Sequence, residues 1–334
     1  MEFSKDLSVV ILAAGKGKRM RSETPKVLHK ICGRPIIYYI LKQILGLEPK
    51  NIFVVAGHKK QLLKDYLGSE FTSVCTIEQD KQLGTGHAVK MVCDGADDFG
   101  HSMLVLSGDS PLITKETLKS LISLRDSEDS AAVILTSITD NPGGYGRIVK
   151  NKKGEVMRIV EEADASPSEK KINEVNSSSY CFDTKLLFEN INSIDAKNSQ
   201  GEYYLTDIIE TLIKKGHKVG TFTVADDNEV KGRNDRLLLS EAVKIIRKKI
   251  TTRLMENGVT RVDPDSAYIE DTVQIACDTI IEPSCFLKGA TIIGENCTIG
   301  PFSQLTDAVV GRGSMINSSV IIGAEIGAEN NIGP

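Results

Sequence analysis

Residues 7–25 read LSVVILAAGKGKRMRSETP, and the fold of the first half of the chain follows from them. Val9, Val10, Ile11 and Leu12 form an apolar, largely β-branched run with no polar alternation, as expected of a central strand covered on both faces. The run breaks into Ala13-Ala14-Gly15-Lys16-Gly17-Lys18-Arg19, small residues first and cations directly after. Small side chains let a ligand approach backbone N–H groups, while Lys and Arg supply charge for phosphates. The stretch therefore reads as a phosphate cradle, against the plainer alternative of an ordinary strand-to-helix turn. It is not a Walker loop, because G-x-x-x-x-G-K-[ST] is absent. A dinucleotide fingerprint would need Gly or Ala where Met20 stands.

Outward from this loop, strands alternate with helices. Ile36–Leu41 is predicted as an amphipathic helix entered through Pro35. Strands are expected at 51–56, 73–77, 102–106 and 131–137, with helices at 59–66, from Gly84-Thr85-Gly86 to about Cys93, and at 115–125. This alternation implies an α/β domain with a mostly parallel, three-layer, Rossmann-like sheet. Ligands of such sheets bind beyond the carboxyl ends of the strands, so the loops after Leu12, Ile77 and Leu106 are expected to share one crevice. The segments 146–150, 156–161 and 174–182 are expected as hairpin-linked strands forming a lid or second lobe, and 202–215 and 234–257 as helices. The basic residues between Lys244 and Arg253 are read as the solvated face of that last helix, opposite Val243, Ile246, Ile250 and Leu254.

Beyond Gly258 the pattern changes. Ile269, Ile275, Ile281, Leu287, Ile293, Ile299 and Leu305 recur every sixth residue. The register then slips and resumes as Val310, Ile316, Ile322 and again as Ile326, Ile332. A six-residue period specifies a parallel β-helix, three hexads to a coil. The expected domains are therefore 1–233, a linker helix at 234–258, and an incomplete hexapeptide β-helix at 259–334. The array reaches Pro334 without a cap, so a truncation or a covering contact is expected there.

At 334 residues the chain is long enough for two domains, and its net charge of -4 argues against wholesale nucleic-acid binding. No apolar run reaches membrane-spanning length and MEFSKD is not a signal peptide, which predicts a cytoplasmic protein. The seven cysteines (32, 75, 93, 181, 277, 285 and 297) include no CxxC, and five histidines show no metal-ligand spacing. Free thiols without a transition-metal site are expected.

Two further stretches carry chemistry. Asp109 closes a strand in G-D-S-P, where it is either a turn aspartate or a carboxylate holding Mg²⁺ against phosphates. Gln79, Gln82, Gly84 and Thr85, in Q-D-K-Q-L-G-T-G, offer amides for a base edge and a closely approachable backbone.

Taken together, L-A-A-G-K-G-K-R-M, P-K-V-L, G-R-P, Q-L-G-T-G-H-A, G-D-S-P-L, G-Y-G-R-I, I-V-E, G-E-Y-Y-L-T-D and the hexads closely resemble the bacterial bifunctional N-acetylglucosamine-1-phosphate uridylyltransferases over essentially the whole chain. The resemblance implies a nucleotidyltransferase lobe followed by a partial left-handed β-helix. It implies uridine held by Leu12, Ala13, Ala14, Gly15, Gln79, Gln82, Gly84 and Thr85, and phosphate charge met by Arg19 and Lys26. The amino-sugar pocket would be formed by Gly146, Glu161, Asn176, Tyr204 and Thr206, with Mg²⁺ on Asp109 and Asn234. UTP and N-acetylglucosamine 1-phosphate would give UDP-N-acetylglucosamine and pyrophosphate in a homotrimer, with no nucleic-acid or membrane partner. Lys18 departs from the Thr usual in the family. The family's second activity, acetyl transfer from acetyl-CoA to glucosamine 1-phosphate, uses residues beyond the last coil here. The chain therefore resembles a C-terminally truncated member, and acetylation is expected of a full-length parent but not of these 334 residues. Thymidylyl transfer to glucose 1-phosphate is disfavoured because the loop lacks G-G-x-G-T-R-L. A non-catalytic regulatory subunit is disfavoured because Lys16, Arg19, Lys26, Asp109 and Asn234 are all present.

Overall fold

The computed structural model describes residues 6–334; the leader reading rests mostly on residues 1–5, outside the described part. The chain forms two compact units, one comprising residues up to Leu28 with Ile36–Asn234, the other His29–Pro35 with Asp235–Pro334.

The first unit is built on a nine-stranded sheet. Its strands are β1 (Leu7–Ala13), β2 (Asn51–Ala56), β3 (Val74–Glu78), β4 (Ser102–Ser107), β5 (Ala132–Ile138), β6 (Arg147–Lys150), β7 (Val156–Val160), β8 (Glu174–Asp183) and β9 (Val219–Thr223). The order is β9-β5-β8-β4-β1-β2-β3, with β6 and β7 extending from β8. β1 lies parallel between β2 and β4, Val9 pairing with Ile52 and Leu104. Only β8 runs against its neighbours along this path, antiparallel to both β4 and β5.

Alternation along β1 explains the three layers. Leu7, Val9 and Ile11 pack with Ile37, Ile40, Leu41, Leu63, Leu67, Leu118 and Leu121 of helices α1 (Ile36–Leu45), α2 (Lys60–Glu70) and α4 (Lys115–Ser127). Val10 faces the opposite core with Val89, Val92, Leu187, Ile191, Ile208 and Leu212 of α3 (Thr85–Gly95), α5 (Thr184–Ile191) and α6 (Asp207–Lys214). A strand buried on both faces carries no polar alternation, which is the pattern the sequence shows.

The expected lid or second lobe is not separate. β8 is an interior strand of the same sheet, and only β6 and β7 project from it. Its hydroxyl-rich sequence reflects a bulge between Asn176 and Tyr180, where Ser178 adopts φ 58°.

Asp207, in the first turn of α6, has its carboxyl pushed up to about 6 by burial and by the charges of Asp195, Glu210 and Asp164. A raised carboxylate favours folding at low pH and loses that contribution as pH rises through its folded value. Asp207→Asn is therefore expected to raise Tm by a few degrees at pH 7.5, a gain that vanishes towards pH 4. Thermal melts across that range check it, and a pH-independent gain would discard the electrostatic cause.

In the second unit, helix α7 (Arg236–Glu256), capped by Asp235 Oδ1 accepting from Leu238 N at 2.9 Å, precedes a left-handed parallel β-helix of three stacked sheets. Arg261, buried under the first coil, donates to Thr251 Oγ1 at 2.7 Å and to the carbonyls of Pro264 and Ala267. The inward positions from Ile269 to Ile316 follow the sequence pattern, but Ile322 faces outward. Ile321 is the buried residue, paired in register with Leu305. One corner has lost a residue, and a one-residue slip transfers every side chain to the other face. Gly294 and Gly311 lie beneath the next coil, where a Cβ would come within 2.7 Å of backbone.

Candidate active site

Three adjoining cavities open at the carboxyl ends of β1 and β4, and every residue singled out in the sequence lines at least one. The largest, about 480 Å³, is walled by Leu12, Ala13, Ala14 and Gly15 on one side and by Gln79, Gln82, Gly84 and Thr85 on the other. A second, about 200 Å³, is lined by Glu161, Tyr204 and Thr206 with Leu12 and Thr85. The third, about 250 Å³, holds Arg19, Lys26, Asp109, Gly146, Glu161, Asn176 and Asn234.

The first wall is made of close approaches. Gly57 packs on the end of β1, where a Cβ would lie 2.8 Å from Ala14 Cβ and the Ala14 carbonyl oxygen. Gly84 has φ 113° against the Tyr203 backbone, a conformation only glycine adopts readily. Gln79, itself buried, donates from Nε2 to Gly84 O at 3.0 Å and lies 2.9 Å from His87 Nδ1. Gly86 N donates to Tyr203 O at 2.8 Å, and Leu205 N to Thr85 Oγ1 at 3.0 Å. These bonds fasten the 203–205 segment to the head of α3, so the first two cavities share a rigid partition.

In the second cavity Thr206 Oγ1 donates to Glu161 Oε1 at 3.2 Å. Burial, opposed in part by that bond and aided by Asp207 and Asp164, pushes the Glu161 carboxyl above its ordinary value. In the third, Asn176 is held by a 2.8 Å bond from its Nδ2 to Tyr180 Oη and accepts from Ser178 N at 3.1 Å.

Lys26 joins the first cavity to the third. Its Nζ lies 2.5 Å from Asp109 Oδ2 and 3.0 Å from Asn234 Oδ1, so two oxygens converge on one point. Ser107 Oγ donates to Asp109 Oδ1 at 2.6 Å. Burial alone would raise the Asp109 carboxyl, but the Lys26 ammonium, the Ser107 hydroxyl and its own backbone N–H together hold it below the usual carboxylate range. Arg233 N donates to Asp109 O at 2.9 Å, which ties the 232–234 loop to the end of β4. Among the described residues no group of three or more His, Cys, Asp or Glu is arranged for a metal.

Sequence reasoning passed over several residues. Ser178 lines all three cavities, hidden in a run of serines. Glu202 lines the first two. Gly232 leaves no room for a side chain, since a Cβ would lie 2.8 Å from both Asp109 Oδ2 and Asn234 Nδ2. The only sequence signal for Gly232 was its place in K-G-R-N beside Asn234. Gly232→Ala is expected to lower kcat about 10²-fold with little change in Tm, because displacement of an aligned group by a fraction of an ångström carries that cost. Steady-state kinetics with a thermal melt check it.

A small-residue strand end beside a cationic loop, with a buried carboxylate at the next strand end, defines a nucleotidyltransferase. The family model described as nucleotidyl transferase matches residues 8–228. The chain is 45% identical over 328 residues to the "Bifunctional protein GlmU" of Thermoanaerobacter pseudethanolicus, covering 98% of this chain and 71% of that one. It is 44% identical to the protein so named in Clostridium novyi, over 98% of this chain and 71% of that one, and 42% to that of Enterococcus faecalis, over 97% and 70%. The chain belongs to the GlmU family.

Proposed function

We infer that this chain transfers a uridylyl group from UTP to N-acetylglucosamine 1-phosphate, giving UDP-N-acetylglucosamine and pyrophosphate. The observation that carries this is the continuity of the three cavities through Lys26 and Ser178. A nucleoside fits between the 12–15 backbone and the amides of Gln79 and Gln82. An amino sugar fits against Gly146, Glu161, Asn176, Tyr204 and Thr206. The two phosphates then meet where Arg19, Lys26 and Asp109 stand.

The reaction joins two anions. A sugar-phosphate oxygen forms a bond to the α-phosphorus of UTP as the α–β bridging bond breaks, and the electron pair leaves with pyrophosphate. The attacking oxygen is already ionised, so no general base is needed. Arg19 and Lys26 offset the repulsion and align the attack. A divalent metal belongs to this chemistry, and magnesium fits the donors present. Asp109 Oδ2 and Asn234 Oδ1 are hard oxygens converging on the point where the Lys26 ammonium lies, and Mg²⁺ is commonly held by one or two protein oxygens plus phosphate oxygens. When bound there it would neutralise phosphate charge.

The domain assignment that goes with this reading, catalysis in residues 1–233 and assembly through 259–334, is adjusted at two places: the catalytic unit extends to Asn234, and His29–Pro35 belongs with the second unit. Ile292 and Val309, register neighbours in one sheet of the β-helix, remain exposed, which supports a homotrimer formed on that face. Among the described residues no helix is long and apolar enough to cross a membrane, in keeping with a cytoplasmic location.

Pyrophosphate release is the test. UTP with N-acetylglucosamine 1-phosphate should be turned over far faster than UTP or dTTP with glucose 1-phosphate. A preference for glucose 1-phosphate would reassign the sugar, and no release with any pair would leave a binding subunit.

A further inference from the structure

Lys18 is a cation of the loop after β1 to which the reading above gives no role. Adjacent residues of the loop serve different cavities: Lys18 lines the nucleotide cavity and Arg19 the one containing Asp109. Gly17, at φ 56°, turns the chain so that it lies on Lys26, where a Cβ would come 2.9 Å from Lys26 Cβ. A single 3-10 turn, Lys18–Met20, follows, closed by Met20 N donating to Gly17 O at 2.9 Å and anchored by the buried Met20 side chain. Lys26 is committed to Asp109, and Lys59 and Lys60 nearby are paired with Glu23 and with Glu78 and Asp80. Among the described residues neither Lys16 nor Lys18 has a carboxylate within ion-pair distance, although both line the cavity. Two exposed ammonium groups without a carboxylate partner on the wall of the nucleotide cavity suit a polyanion brought by the ligand.

We propose that Lys18 is a binding residue for the leaving group, holding the terminal phosphates of the nucleoside triphosphate and then the inorganic pyrophosphate. This rests on the nucleotidyl-transfer reading above. Arg19 and Lys26, on the Asp109 side, face the phosphate being transferred. The α–β bridging bond breaks and the electron pair leaves with pyrophosphate; an ammonium placed there holds the β- and γ-phosphates of bound UTP and the free pyrophosphate alike, so it lowers KM for both without raising kcat. Lys18 is exposed, so its effect is screened by salt.

Lys18→Thr and Lys18→Arg test this in the full chain. The Thr variant is expected to raise KM for UTP, and for pyrophosphate in the reverse reaction, about tenfold. KM for the sugar phosphate should be unchanged, and the Arg variant should recover most of the loss. Independently of turnover, inorganic tripolyphosphate should bind the wild-type protein with an affinity that falls on adding KCl, and the Thr variant should bind more weakly with a shallower salt dependence. Equal changes in both substrates' KM, or unchanged tripolyphosphate binding, would overturn the proposal. Lys18-dependent tripolyphosphate binding in a wild-type protein that releases no pyrophosphate would instead overturn the substrate reading alone.

Discussion

Asp109→Ala is expected to lower turnover by about 10³-fold or more while the sheet stays folded. Asp109 is 5% exposed, and its carboxylate is charged because three donors outweigh burial. Without it Lys26 keeps only the Asn234 oxygen at 3.0 Å, and one of two converging donors is gone. Removing one partner of a buried pair also costs stability, so Asp109→Asn, which preserves shape, is the companion variant and should be nearly as inactive. The stability effect has a definite sign. A carboxylate held below its unfolded value stabilises the fold above that value and loses the contribution as pH falls through the folded one. The deficit of Asp109→Asn should therefore shrink in acid. Kinetics beside near-UV circular dichroism across pH decide it, and wild-type rates in either variant would remove Asp109 from the reaction.

Leu305→Ala is expected to cost about 2–5 kcal/mol in the second unit. Leu305 is fully buried between Leu287 and Ile321 in adjacent coils, so truncation opens a cavity that backbone on either side keeps from collapsing. The control is Ile322→Ala, a neighbour of similar size that is 66% exposed and should change stability by less than about 0.5 kcal/mol. Calorimetry should show the β-helix melting at lower temperature in the first variant only, with uridylyl transfer at 20 °C retained. A large loss from Ile322→Ala would mean that the register is misassigned.

What the sequence disclosed follows the range of the forces involved. β1 and its loop were legible because a doubly covered strand and an approachable backbone each leave a local signature. Seven matches at a six-residue period placed the first coils for the same reason. The hexad reading failed at Ile322, where a shortened corner leaves the local composition unchanged while inverting the face. It also failed at Glu174–Asp183. Whether that segment forms a lid or an interior strand depends on pairing with Ser102–Ser107 and Ala132–Ile138, and no local periodicity records such distant partners. All the site residues expected from the family's motifs line the three cavities. Gly57 and Gly232 were missed because what they contribute is the absence of a side chain next to a residue far away in sequence.

The placement of β8 has a bearing on biosynthesis. Since it separates β4 from β5, a ribosome-bound chain that has not emerged past Asp183 carries an incomplete sheet with two unsatisfied borders. Such borders template association between neighbouring nascent chains. Slow codons between Ile138 and Asp183 would therefore prolong the exposure of the two borders that only β8 covers.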